Sequence, residues 1–440
     1  MNSLLRKIVF LSSLTMAAVL PVSTFAQVFQ GKVANLRAYD KSGINVFEGL
    51  KVDTTAFTNL NMRLGAGFTQ EFQGLKHKNS NNDALVPANK LYGITPGFNT
   101  AMANLFLDAQ LADGIRLDVT LYLSTRHHNE TWVKGGYIQF DKLPFKGQFW
   151  SDLMKYTTIK VGHMEINYGD QHFRRTDAGN AIYNPFTENY ILDAFATEIG
   201  GEVYVTRNGF FGMVGITNGM IKGNVDSLVD AKTYETIHKN PSLLFKAGLD
   251  RKLGDITRIR LSGSFYHNNS DGSNTLYGGD RAGSSYFMVM EKTGSSYTAN
   301  ETSGRLDPKF SNKIDAYMAN GFVKVKGLEL FGTYETSSGR NSTEKYTRKA
   351  TQFAVDGLYR FGKTENFFIG ARYNTVKARL LNFTSDVTVN RYAASAGWFL
   401  TQNILLKGEY VTQQYKDFPA ADYRNGGKFY GYTVAAVVGF

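Results

Sequence analysis

The sequence predicts an all-β chain, a closed antiparallel transmembrane β-barrel of about 16 strands with one loop folded inward. Three observations carry that expectation: hydrophobicity alternates with a period of two, tight turns alternate with long polar segments, and a secretory leader precedes both. Composition agrees, since the 440 residues include 44 Gly, 25 Tyr and 32 Phe but 3 Trp and 8 Pro, a mixture suited to strands and turns.

The leader comes first in the chain. Arg6-Lys7 precede an apolar run from Ile8 to Leu20, then Pro21 and the small-residue pattern Thr24-Phe25-Ala26, which places cleavage before Gln27. The run is too short to span a bilayer, so residues 1–26 read as a signal peptide and the mature protein as exported. Residues 27–58 are expected as an N-terminal periplasmic segment, as a plug, an extra strand or a tail, leaving 59–440 as the barrel. Without its leader the chain carries 47 Lys+Arg against 38 Asp+Glu, a net charge of +9. The absence of cysteine excludes thiol nucleophiles, thiolate-held metals and disulfides.

Alternation then runs along the mature chain. Leu117, Val119, Leu121 and Leu123 oppose Arg116, Asp118, Thr120 and Tyr122, and near the C-terminus Tyr432, Val434, Val438 and Phe440 share one apolar face. Strands are expected near 59–73, 99–111, 115–126, 132–141, 157–168, 197–207, 210–219, 243–253, 256–267, 312–326, 328–338, 350–361, 366–378, 388–400, 403–415 and 428–440. Short turns such as Asp113-Gly114, Asn208-Gly209 and Lys326-Gly327 alternate with long polar segments, chiefly 74–97, 170–196, 220–241 and 268–311, which read as exposed loops. The turn Lys142 to Tyr156 is long for the short-turn side and holds a possible short helix around Trp150. An even strand count brings both ends to the periplasmic side, and a barrel of this width leaves an aqueous lumen.

In such a barrel the lumen face carries selectivity. Its polar register holds Arg63, Arg116, Arg126, Arg258, Arg260, Arg360, Arg372 and Arg391, against acids that include Asp108, Asp118, Glu202 and Asp356; the balance leans weakly to anions such as phosphate. The long segment after the fifth strand is too apolar for a solvated loop, with Ile182, Tyr183, Phe186, Tyr190 and Phe195, and is expected to fold inward as a pore constriction. His172, Arg174 and Arg175 would charge that constriction, and Asp177, Glu188 and Asp193 could pair with them and turn it into a brace. Enzyme chemistry finds no constellation: His127-His128-Asn129-Glu130 and the pair His163 and Glu165 lack metal-ligand spacing, no serine is singled out, and no cofactor, nucleotide or nucleic-acid motif is present. The function expected is passive diffusion of small hydrophilic solutes, and the alternative is a surface adhesin or structural barrel acting through its long loops.

Several stretches together resemble a known family. Val161-Gly162-His163-Met164-Glu165-Ile166-Asn167-Tyr168-Gly169-Asp170, the Arg-bearing loop after it, the early Asp40 to Glu48 segment and the terminal Phe440 are similar to Bacteroidetes-type outer-membrane porins of the phosphate-selective porin O/P-like group. The resemblance implies a general or anion-preferring porin in outer-membrane lipid and lipopolysaccharide. It also implies a homotrimer whose third outward loop constricts the channel. It further implies that Tyr432, Val434, Val438 and Phe440 form the assembly signal read by the barrel-assembly machinery. The chain departs from that pattern in lacking a dense lysine cluster in the loop.

Overall fold

Alternating segments bury one face and leave the other to lipid only if every strand finds a partner on both sides. The computed structural model meets that requirement; it describes residues 33–49, 51, 57–80, 89–99, 101–124, 131–177, 179–219, 228–229, 236–237, 240–269, 274–278, 283–300 and 302–440. The leader, residues 27–32 and the stretch around Arg126 and His127 lie outside the described residues. Among the described residues sixteen strands build one antiparallel barrel: β1 (Asn61–Lys78), β2 (Met102–Ala112), β3 (Ile115–Ser124), β4 (Thr131–Phe140), β5 (Thr157–Glu165), β6 (Thr197–Arg207), β7 (Phe210–Thr217), β8 (Ser242–Leu253), β9 (Thr257–Asn269), β10 (Lys313–Val325), β11 (Leu328–Arg340), β12 (Arg348–Phe361), β13 (Phe367–Ala378), β14 (Val387–Phe399), β15 (Ile404–Lys416) and β16 (Lys428–Gly439). Each pairs with its chain neighbour, and β16 returns to β1, from Gly67 opposite Gly439 to Lys78 opposite Lys428. Ala66 and Phe440 exchange two backbone hydrogen bonds of 2.9 and 3.0 Å, so the last residue completes the seam.

Every expected strand is present. The one large boundary difference is β1, which continues to Lys78 where the sequence suggested a loop from Gly74. That glycine is not a breaker: a Cβ there would lie 2.5 Å from the Tyr432 ring of β16, so the missing side chain makes room for cross-strand packing.

The outer face is apolar. Leu64, Leu105, Val214, Leu261, Ile369 and Val434 are exposed on alternate positions while their neighbours point inward, and near the short turns Tyr359, Phe361, Phe367 and Trp398 stack in sequence at 5.6–6.1 Å. Such a belt with an aromatic rim faces hydrocarbon and its interface. Tyr432, Val434, Val438 and Phe440 all lie on this outward face of β16. No described helix is long and apolar enough to cross a membrane, and the short helix α1 (Gln148–Met154) occupies the turn between β4 and β5.

Candidate pore and its lining

A barrel of sixteen strands is too wide for wall side chains to meet across it, so what enters from the loops decides its function. Residues 166–196, the third outward loop, do fold inward. The polar side chains of the wall satisfy the loop's backbone, as buried peptide groups require. Asp170 is held by Arg260 at 2.7 and 2.8 Å and by the Ser262 hydroxyl at 2.7 Å. Farther along, the Thr69 hydroxyl donates to the Gly179 carbonyl at 2.9 Å, and Lys407 Nζ donates to the carbonyls of Ala181, Asn184 and Phe186 at 2.8–2.9 Å. Ile191 and Leu192 donate their amides to Asn374 and Gln352 at 2.7 and 2.9 Å. The loop thus runs from β9 past β1 and β15 to β12 and β13. At its closest approach a Cβ on Gly179 would meet the Gly67 carbonyl at 2.4 Å, so only glycine fits there.

The segment 268–311, expected as an exposed loop, departs from that reading in its described part. Leu276, Tyr286, Val289 and Leu306 are fully buried over the third loop, Tyr277 donates to Glu335 at 2.7 Å, and the Leu306 amide donates to the Ile191 carbonyl at 2.7 Å. The reason is its apolar content, which packs on the third loop more favourably than it meets water.

Together these loops fill the lumen beside β8 to β16. Among the described residues a cavity of about 830 Å³ lies against β3 to β6. Its lining runs from Gln139 and Lys160 near the short turns to Lys134 and Thr197 near the long-loop end. Residues 34–38, 42 and 46–49 also line it, so this part of the N-terminal segment reaches into the barrel mouth.

The constriction residues divide. His172 and Asp177 line the cavity; His172 contacts Glu165 and Asn167 at 3.2 and 2.9 Å, and Asp177 pairs with Lys134. Arg174, Arg175, Glu188 and Asp193 do not. Arg174 is buried against Asn45 and Glu329, and Arg175 binds Asp193 at 2.7 Å beneath Phe195, 3.9 Å from guanidinium to ring. Burial works against charge on Asp193, yet Arg175 holds its carboxyl below the usual range. The two arginines therefore brace the loop, the alternative that pairing with Asp193 left open, rather than charge a passage.

The wall arginines behave alike. Arg63 pairs with Asp108, its cross-strand partner, Arg116 with Asp141 at 2.6 Å, Arg258 with Asp250 at 2.6 Å, Arg360 with Glu329 at 2.8 Å, and Arg372 with its cross-strand partner Asp356 at 2.7 Å. Arg260 serves Asp170, and Arg391 donates to Gln413 at 2.6 Å and to the Gly304 carbonyl at 2.7 Å. None of these described arginines lines the cavity, and Arg126 lies outside the described residues. Pairing and burial remove the anion track that their number suggested.

The charges that do face the cavity are Glu48, Asp118, Glu165, Asp177 and Glu202 against Arg37, Lys134 and Lys160, with His163 and His172. Sequence reasoning missed Lys134 because a bulge at this point lets Thr120 face Gly135 and Leu121 face Val133, skipping Lys134 and shifting the alternation beyond it. Arg37 and Glu48 were missed because their segment has no strand period to assign a face.

Glu188 joins the two inward loops. Its carboxylate accepts from the Ser285 and Asn189 amides at 2.6 and 3.0 Å, and burial pushes its pKa up to about 7 against the pull of Arg391 and Arg305. A raised carboxyl favours the folded loops in its protonated state, and that contribution is lost as pH rises through about 7. Amide exchange at residues 187–189, corrected for intrinsic rate, is expected to be faster at pH 8 than at pH 6, and Glu188→Gln is expected to flatten the difference.

No protein-family model matches the chain, and no curated protein matches it in sequence. Solved structures do. The anion-selective porin from Comamonas acidovorans aligns with TM-score 0.52 at 9% identity over 87% of this chain and 100% of that one. The chain has a porin fold. OmpT folded in vitro, an outer membrane protein of Vibrio cholerae, aligns with TM-score 0.50 at 11% identity over 88% of this chain and 100% of its own. At these identities the likeness is one of fold, and the lining of this barrel has to be read from its own residues. With the lipid-facing belt, the fold places the chain in an outer membrane.

Proposed function

We propose that the protein is a porin that lets small hydrophilic solutes diffuse passively through the eccentric cavity left by its inward loops. One observation carries the reading: inside a closed barrel, a cavity of about 830 Å³ lies against β3 to β6, with charged side chains among its lining from Lys160 near the short turns to Lys134 near the long-loop end. That volume suits hydrated ions and solutes of a few hundred daltons. The adhesin alternative, which needs long loops exposed to a partner, loses support because the described part of the long segment 268–311 is folded inward.

The expected lean to anions such as phosphate rested on the wall arginines, with Arg174 and Arg175 of the loop beside them, and these are paired or buried. With Glu48 paired to Arg260 and Lys246 and Asp177 to Lys134, the carboxylates Asp118, Glu165 and Glu202 face the cavity with Arg37 and Lys160, so the lining favours a weak cation preference. Assembly as a homotrimer in lipid and lipopolysaccharide, after insertion through the outward face of β16 by the barrel-assembly machinery, completes the proposal. The test is current through a planar bilayer with the purified protein and a KCl gradient. Ohmic openings with cation-side reversal are expected, and Glu165→Gln is expected to lower the cation-to-anion permeability ratio about twofold. Folded, inserted protein that carries no current overturns the porin reading.

A further inference from the structure

Residues 33–49 supply more of the cavity lining than any other element, and nothing in barrel closure requires them, since β1 to β16 pair without them. We infer that this segment is a second constriction, fixed across the short-turn mouth, which limits passage at that end; the inference rests on the porin reading above.

The segment is anchored around most of the mouth. Near its start, the Asn35 amide donates to Asp141 at 3.3 Å, and Tyr39 stacks on Phe106 with centroids 3.7 Å apart and donates to Asp108 at 3.0 Å. A one-turn 3₁₀ helix, Lys41–Gly43, is capped by Asp40 and reaches two periplasmic turns: the Lys41 amide donates to the Gln402 carbonyl at 2.9 Å and its ammonium to the Thr364 carbonyl at 2.6 Å. Asn45 donates to Glu329 at 2.8 Å, and Phe47 packs against Phe322 with centroids 5.6 Å apart. Glu48 ends the belt, gripped by Arg260 at 2.6 Å and Lys246 at 2.8 Å.

This is a belt rather than a loose tail. Its members also contact the third loop: Arg37 donates to the Phe173 carbonyl at 2.8 Å and lies 3.6 Å from the Tyr183 ring centroid, Asn45 accepts from Arg174, and Phe47 meets Phe173 edge-on at 5.7 Å. The loop and the belt therefore close on the cavity together, one from the barrel's middle and one from its mouth. Arg37 and Glu48 both stand on the belt's side of the cavity, Glu48 neutralised by its two cations. A belt so placed narrows the exit.

The test compares single-channel conductance of the wild-type chain and a full chain lacking residues 33–49, each shown to be folded by heat-modifiable gel mobility and inserted in a planar bilayer. The deletion is expected to raise unit conductance at least about twofold. If the deleted chain does not fold, the double substitution Phe47→Ala with Glu48→Ala carries the same expected increase. Equal conductance from wild type and a folded variant overturns the inference and leaves the porin reading standing. Silence from both overturns the porin reading and the inference with it.

Discussion

Replacing Asp193 by alanine is expected to free the third loop and raise single-channel conductance at least about twofold while the barrel stays folded. Asp193 is fully buried and accepts from Arg175 at 2.7 and 3.2 Å and from Gln171 and Asn189 at 3.1 and 3.2 Å. Without it, Arg175 is left as a buried charge under Phe195 with Asp177 at 3.3 Å as its remaining carboxylate, a loss of about 3–5 kcal/mol for a broken buried pair. The strand ladders do not pass through either residue, so the loss falls on the loop. Conductance, together with new protease cleavage between residues 170 and 196, checks the outcome. The double substitution Arg175→Met with Asp193→Leu is expected to cost less than Asp193→Ala, because it removes both charges.

The second large effect concerns the opposite face of the wall. Leu261 is 60% exposed on the outside of β9, and an arginine there is expected to destabilise the folded barrel by about 2–4 kcal/mol in lipid. Thr120 lines the cavity instead, and Thr120→Arg is expected to stay within about 0.5 kcal/mol while changing the current. Urea unfolding in lipid vesicles measures both. Equal costs for the two substitutions would mean that Leu261 does not face hydrocarbon.

The barrel is legible in the sequence because each strand must declare two faces. Leu117 to Leu123 against Arg116 to Tyr122 could be assigned without any neighbour, and the rhythm of short and long connections then sets the order of strands. The inward course of the third loop was legible for a related reason, since Ile182, Phe186 and Tyr190 have no use on a wetted surface. What fills the rest of the lumen was not. A strand's period tells which residues point inward and says nothing of what they meet there, so Arg372 and Arg391 read as a charged track although Asp356 and the loop carbonyls satisfy them. Lys134 escaped because one bulge shifts the alternation, and Arg37 and Glu48 because a segment without period leaves its facing undeclared. Gly74 misled in the other direction, since a residue type common in loops here vacates space for Tyr432.

The most direct measurement of the eccentric passage uses the absence of cysteine from the chain. Thr120→Cys places one thiol on the cavity wall, and its reaction with a bulky thiosulfonate during a bilayer recording is expected to lower the unit current in steps, while the wild-type chain shows no response to the reagent. A modification complete by mass spectrometry that leaves the current unchanged would contradict the account, because ions would then be crossing the protein somewhere other than the cavity beside β3 to β6.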